Sequence, residues 1–159
     1  MEFSGFRMFY RGTYTLSVDA KGRIAIPKIF REDICISSEN TVVVTMDVQS
    51  DCLLFYKYVD WQPLENKIMS LPNTINPQVR MLQRRLVGSA RAMELDAQGR
   101  ILLPEKLKGF AQIQSSVVLV GQGNKFEIWS ESRWDELFNS FSEEVDLEQA
   151  QALLQDLVL

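Results

Sequence analysis

The 159-residue chain is long enough for one ordinary domain or two very small ones, and with 46% hydrophobic and 24% charged residues it is neither wholly disordered nor collagen-like. No apolar run approaches the roughly eighteen residues of a membrane span, and the opening "MEFSGFRMFYRG" lacks the apolar segment of a secretory signal, so a cytoplasmic location is expected. The net charge of −4 hides an asymmetry: from Glu131 onward eight acids face one base, Arg133, so the preceding residues carry an excess of three positive charges.

In chain order, "TYTLSV" alternates Tyr14, Leu16 and Val18 with Thr13, Thr15 and Ser17, the period of a strand with one buried face. A turn follows, Asp19-Ala20-Lys21-Gly22-Arg23, where an aspartate accepts backbone N–H bonds and a glycine takes positive φ. The short strand "RIAI" leads to Pro27, which suits the first position of a helix over "PKIFREDI". "TVVVTM" and "CLLFYKY", joined by "DVQSD", predict a hairpin. A helix with Trp61, Leu64, Ile68 and Met69 comes next, with Pro63 in its first turn. "NPQVRMLQRRLVG" predicts a helical connector with Asn76 as N-cap, Pro77 at the first position, Val79, Leu82 and Leu86 on one face, and Gly88 as its stop.

The chain then repeats itself. "VDAKGRIAIP" (18–27) and "LDAQGRILLP" (95–104) agree at six of ten positions, including Asp19 with Asp96, Gly22 with Gly99 and Arg23 with Arg100. "SVVLVG" answers "TVVVTM", and Trp134 answers Trp61. A period near 75 residues with two copies indicates a duplicated small unit. Copy one spans about 13–62 and copy two about 89–135, with a helical connector over 63–88 and a helical tail over 136–159. In the second closing helix Trp134, Leu137, Phe138 and Phe141 form a stripe, and Trp61, Trp134 and Phe138 are expected in the core. The tail "DLEQAQALLQDLVL" predicts an amphipathic helix capped by Asp146, with Leu147, Ala150, Leu154 and Leu157 on a side that needs a partner. A ββαββ unit of about fifty residues buries too little surface to be stable alone, so the copies are expected to pair about a pseudo-two-fold axis.

Catalytic signals are missing. The chain has no histidine, its Cys35 and Cys52 form no C-x-x-C pair, and "VGQGNKF" reads as a hairpin turn rather than a phosphate-binding loop. Asp19 and Asp96 each have an arginine nearby and a turn to cap. The expectation is no enzyme, no metal and no cofactor.

The motif D-x-K-G-R-x-x-x-P in paired ββαββ units, with "MFYRGTYTLSVDAKGRIAIP", "VTMDVQSDCLLFY" and "LVGQGNKFEIW", resembles the MraZ family and its double SpoVT-AbrB-like domain. Residues 1–7 precede the usual family start. The resemblance implies an α+β fold in which two swapped-hairpin, AbrB-like units form one pseudo-two-fold β-barrel core with flanking helices. It implies a nucleoid-associated, sequence-specific DNA-binding transcriptional regulator of the bacterial division and cell-wall gene cluster and of its own promoter. Family members are similar in forming ring-like homo-oligomers whose subunits read short direct repeats in double-stranded DNA.

Two basic clusters accompany the loops, one with Arg7, Arg11, Lys21, Arg23, Lys28 and Arg31, the other with Arg80, Arg84, Arg85, Arg91 and Arg100. For Arg23 and Arg100 the plain reading is a turn stiffened by pairing with Asp19 and Asp96; the functional one is contact with phosphates or guanine edges. With the family resemblance the expected DNA-binding residues are Arg23, Lys21, Arg100, Arg11 and Arg91, on a structural motif of Asp19, Gly22, Asp96 and Gly99. Copy one is the stronger candidate, because Gln98 stands where copy one has Lys21. Arg80, Arg84 and Arg85 rank lower, Arg80 and Arg84 as a solvated helix face. The alternative is an oligomeric scaffold in which both loops only shape subunit contacts.

Overall fold

The computed structural model describes residues 8–157, apart from the side chains of Ser142 and Glu144. Residues 1–7, Arg7 among them, lie outside the described residues. Copy one runs β1 (Thr13–Ser17), β2 (Arg23–Ala25), α1 (Lys28–Ser38), β3 (Thr41–Met46), β4 (Leu53–Lys57) and α2 (Tyr58–Met69). The connector helix is α3 (Pro77–Leu86). Copy two repeats the order as β5 (Arg91–Glu94), β6 (Arg100–Leu102), α4 (Glu105–Ala111), β7 (Ser116–Gly121), β8 (Lys125–Ser130) and α5 (Glu131–Asn139). Two further helices follow, α6 (Phe141–Glu144) and α7 (Leu147–Leu154). The class is α+β, with antiparallel sheets throughout.

The copies are interleaved. Six strands form one sheet in the order β1-β7-β8-β4-β3-β5, and β2 pairs with β6 in a separate two-stranded ribbon. Thus β1 of copy one pairs with β7 of copy two, Thr15 opposite Val118, while β5 of copy two pairs with β3 of copy one, Val42 opposite Met93. The register is symmetric about two points. In the ribbon Ile24 faces Ile101, flanked by Arg23 with Leu102 and Ala25 with Arg100. In the sheet Leu54 faces Glu127, flanked by Leu53 with Ile128 and Phe55 with Phe126. A pseudo-two-fold axis relating the repeats passes through both pairs.

One core serves both copies. Val42, Val44, Leu53 and Phe55 from one face of the sheet meet Val117, Leu119, Phe126 and Ile128, closed by Ile24 and Ile101 from the ribbon and Phe30 and Leu107 from α1 and α4. Each large apolar side chain fully buried here contributes about 1.5–3 kcal/mol. The other face of the sheet is covered too, by Trp61 of α2 against Val43, Leu54 and Tyr56, and by Trp134 and Leu137 of α5 against Val118 and Trp129. Coverage on both faces explains why β3 and β4 read as continuous apolar runs rather than as alternation.

Several expectations need correction. Pro27 and Pro104 stand at the N-cap with extended ψ of 136° and 143°, one position before the helix. Helix α2 begins at Tyr58, so Pro63 lies beyond its first turn, and Met69 is exposed. In α3, Asn76 accepts from the Gln78 N–H as expected, but the buried residue is Gln83, and Leu82 remains exposed. Gln83 Nε2 donates to the carbonyls of Ile68 and Leu71 at 3.0 and 3.3 Å, and its Oε1 accepts from Asn73. Those carbonyls lie at and just beyond the end of α2, where the helix supplies few donors, so a polar side chain serves there better than a leucine. Phe138 is 69% exposed rather than core, because α5 ends at Asn139 and only its Trp134 and Leu137 reach the sheet.

Candidate nucleic-acid interface

The two Asp-Ala-x-Gly-Arg loops have the same construction. Asp19 Oδ1 accepts the N–H groups of Lys21 and Arg23 at 3.0 and 2.8 Å, and Oδ2 accepts from Arg23 Nε at 2.7 Å. Asp96 accepts from the N–H groups of Gln98 and Arg100, both at 2.9 Å, and from Arg100 Nε at 2.8 Å. The N–H groups of Gly22 and Gly99 close each turn on the aspartate carbonyl at 2.9 Å, with φ of 84° and 72°. These bonds need an ionised carboxylate. The backbone N–H of the arginine, then its side chain and the N–H of Lys21 or Gln98, hold both aspartates below their usual range against the opposing cost of desolvation.

Spending Nε on the aspartate aims each guanidinium while leaving its terminal nitrogens for other work. Arg23 gives those nitrogens no protein partner among the described residues. Arg100 donates one of them to Gln98 Oε1 at 3.2 Å. The Lys21-to-Gln98 difference therefore removes a charge from copy two and also engages its arginine. On the ribbon, Ile24 and Ile101 turn into the core, and Arg23, Ala25, Arg100 and Leu102 share the opposite face. Lys21 is exposed beside them.

Each loop also carries a cation from the other copy. The Arg31 side chain of α1 packs on Gly99, where a Cβ would lie 2.2 Å from its Nε, and that Nε donates to the Ile26 carbonyl at 2.7 Å. Lys108 of α4 takes the equivalent place, its Nζ 3.0 Å from where a Cβ on Gly22 would stand. Sequence reading missed this use of Arg31 and Lys108, although the 77-residue offset between the decapeptides also aligns these two positions. The ribbon face and its borders thus gather Lys21, Arg23, Arg31, Arg100 and Lys108.

The MraZ protein family model matches the chain over residues 9–85 and again over 86–157. The chain belongs to the MraZ family. It is 51% identical over 128 residues to the transcriptional regulator MraZ of Hydrogenovibrio crunogenus, covering 80% of this chain and 84% of that protein. It is 45% identical to that of Methylococcus capsulatus, covering 87% and 90%, and 44% identical to that of Thioalkalivibrio sulfidiphilus, covering 94% and 99%.

In this MraZ-family chain Arg11, Arg91, Arg80 and Arg85 lie outside the two ribbon strands. Arg11 precedes β1, at the end opposite the Asp19 loop, and its guanidinium lies 5.8 Å from the Phe9 ring. Arg91 opens β5 on the exposed edge, opposite Val44 and at the far end from Asp96. Arg80 donates to the Asn73 carbonyl, and Arg85 donates to the Asp47 carbonyl while lying over the Phe110 ring at 4.6 Å.

Among the described residues one group of metal-type ligands converges, Asp47, Cys52 and Glu127, with its ligand atoms within 4.8 Å of one another. Asp47 Oδ2 accepts from the Ser50 N–H and the Cys52 thiol, and Glu127 accepts from the Trp129 indole. Burial, reinforced by Glu127 and Asp47, pushes the Cys52 thiol well above its usual range. The thiol is a donor here, and the group closes the β3–β4 loop. No helix among the described residues is long and apolar enough to cross a membrane.

Proposed function

We propose that this MraZ-family chain is a DNA-binding transcription regulator that reads double-stranded DNA with the β2–β6 ribbon. The observation that carries the reading is the pair of aspartate-aimed arginine forks, Arg23 and Arg100, on the exposed face of that ribbon. A two-stranded ribbon fits the major groove, and a guanidinium held in plane suits guanine O6 and N7 or a phosphate. The relatives' shared name, transcriptional regulator, supports the same reading. Arg23 with Lys21 is the primary contact and Arg100 the secondary one, while Arg11 and Arg91 serve outlying phosphates. In this reading the strand exchange closes units 13–62 and 89–135 into one swapped-hairpin barrel, with 63–88 as connector and 136–159 as tail. Ring-like homo-oligomers on the nucleoid would bind short direct repeats ahead of the division and cell-wall gene cluster and the chain's own gene, so that weak single-ribbon contacts gain avidity.

A gel shift on a repeat-containing promoter fragment tests this. Arg23→Ala is expected to abolish the shift with the assembly intact, Arg100→Ala to weaken it, and wild-type binding to fall steeply with salt. Undiminished affinity in Arg23→Ala removes the assigned role, and no retention of wild type even at low salt favours the scaffold reading.

A further inference from the structure

We propose that the C-terminal helix α7 of one chain docks, apolar face first, into the α3 groove of a second copy. The groove has a volume of about 480 Å³ and is lined by Val48, Pro77, Gln78, Met81, Leu82 and Arg85. Met81 and Leu82 are exposed at 60% and 38%. On the tail, Asp146 caps α7 through the N–H groups of Glu148 and Gln149, so the helix is well begun. Yet Leu147 and Leu154, two turns apart on one side of α7, are both exposed, as is Leu157 just beyond the helix. An amphipathic helix with leucines at this spacing is the usual occupant of such a groove.

Charge selects the pairing. From Ser70 to Met93 the chain has four arginines, Arg80, Arg84, Arg85 and Arg91, and no carboxylate. From Ser140 to Leu159 it has five acids and no base. An acidic amphipathic helix and an apolar groove edged by arginine are complementary in both polarity and charge. Within one chain α3 packs on β3 and α5 on β7 and β8, and among the described residues the groove is lined without any from the tail. The occupant is therefore the tail of another copy. Such a contact joins unlike surfaces, so it repeats head to tail and closes only as a ring.

This supplies the contact for the oligomer proposed above, but it is read from mass alone, without DNA. Light scattering on the full chain compares wild type, Leu82→Glu, Leu154→Glu and an equimolar mixture of the two variants. The wild type is expected as a multi-chain species and each variant as a single chain. The mixture is expected as a two-chain species, because one intact groove and one intact tail remain. Both variants should still unfold cooperatively as folded single chains, since both side chains lie at the surface. Arg84→Glu, an exposed position, is a second groove variant and is expected to weaken assembly at least tenfold. A wild type with the mass of one chain, whether its tail is free or folded back on its own groove, overturns the proposal. So does a Leu82→Glu or Leu154→Glu variant that keeps the wild-type mass. Either result leaves DNA binding by Arg23 to be judged by its own gel shift.

Discussion

The backbone N–H of Leu103 donates to the carbonyl of Gly22 at 2.9 Å, and by the pseudo-symmetry of the chain Ile26 donates to Gly99 at the same distance. Each Asp-Ala-x-Gly-Arg loop is thus anchored by a backbone bond from the other copy. A glycine that takes positive φ, supplies this carbonyl and leaves room for a cation from the opposite helix is constrained three times over.

Replacing these glycines by alanine therefore has a defined cost. Positive φ alone disfavours alanine by about 1–2 kcal/mol. At Gly22 the new methyl is close only to the far end of the Lys108 side chain, at 3.0 Å, whereas at Gly99 it collides at 2.2 Å with the Arg31 side chain that is bonded to Ile26. Urea unfolding should show Gly99→Ala as the more destabilised variant. Equal or negligible losses would mean that Arg31 does not depend on the space above Gly99.

The loops should also be sensitive to acid in a particular window. Asp19 and Asp96 are held below the ordinary aspartate value of 3.8. A group whose folded value is depressed adds stability that is complete above the unfolded value and is lost as pH falls through the folded one. Loop structure, followed by the amide resonances of Arg23 and Arg100, should persist from neutral pH down to about 4 and then be lost on further acidification. Loss of those resonances near pH 6 would contradict the ion-pair geometry.

Lys57 offers a sharper stability test, because it is 2% exposed and bonds Asp33 at 2.6 Å, with Asp60 at 3.8 Å and the Tyr10 ring 5.2 Å away. Asp33→Ala leaves the ammonium buried with a more distant partner and is expected to cost about 3 kcal/mol. Lys57→Met removes the charge and fills similar volume, so its cost should be smaller, as read from chemical denaturation. A larger loss for Lys57→Met than for Asp33→Ala would reverse this account.

The two cysteines should separate cleanly. Cys35 is exposed on α1, while Cys52 is buried, its thiol bonded to Asp47 and driven upward by burial. A thiol reagent at neutral pH should modify one cysteine in the folded protein and the second only after unfolding. Prompt labelling of both would mean that the β3–β4 loop opens readily.

The sequence alone determined the local chemistry. Alternation announced β1, Asn76 and Asp146 announced their helices, and Asp, Gly and Arg at fixed spacing announced both loops, because capping, positive φ and i,i+4 pairing act within a few residues. Repetition announced the two copies, and the identity of residue 21 against residue 98 announced their inequality. Tertiary structure decided what lies far apart in the chain. It set β1 against β7 and β5 against β3, seated Arg31 and Lys108 on the opposite loops, and buried Gln83 and Lys57 while leaving Phe138 and Leu82 in solvent. The physical reason is that strand partners and buried polar contacts are chosen by surfaces brought together only when the two copies interleave. A periodic pattern states that a side chain has an apolar face, and the fold states what, if anything, covers it.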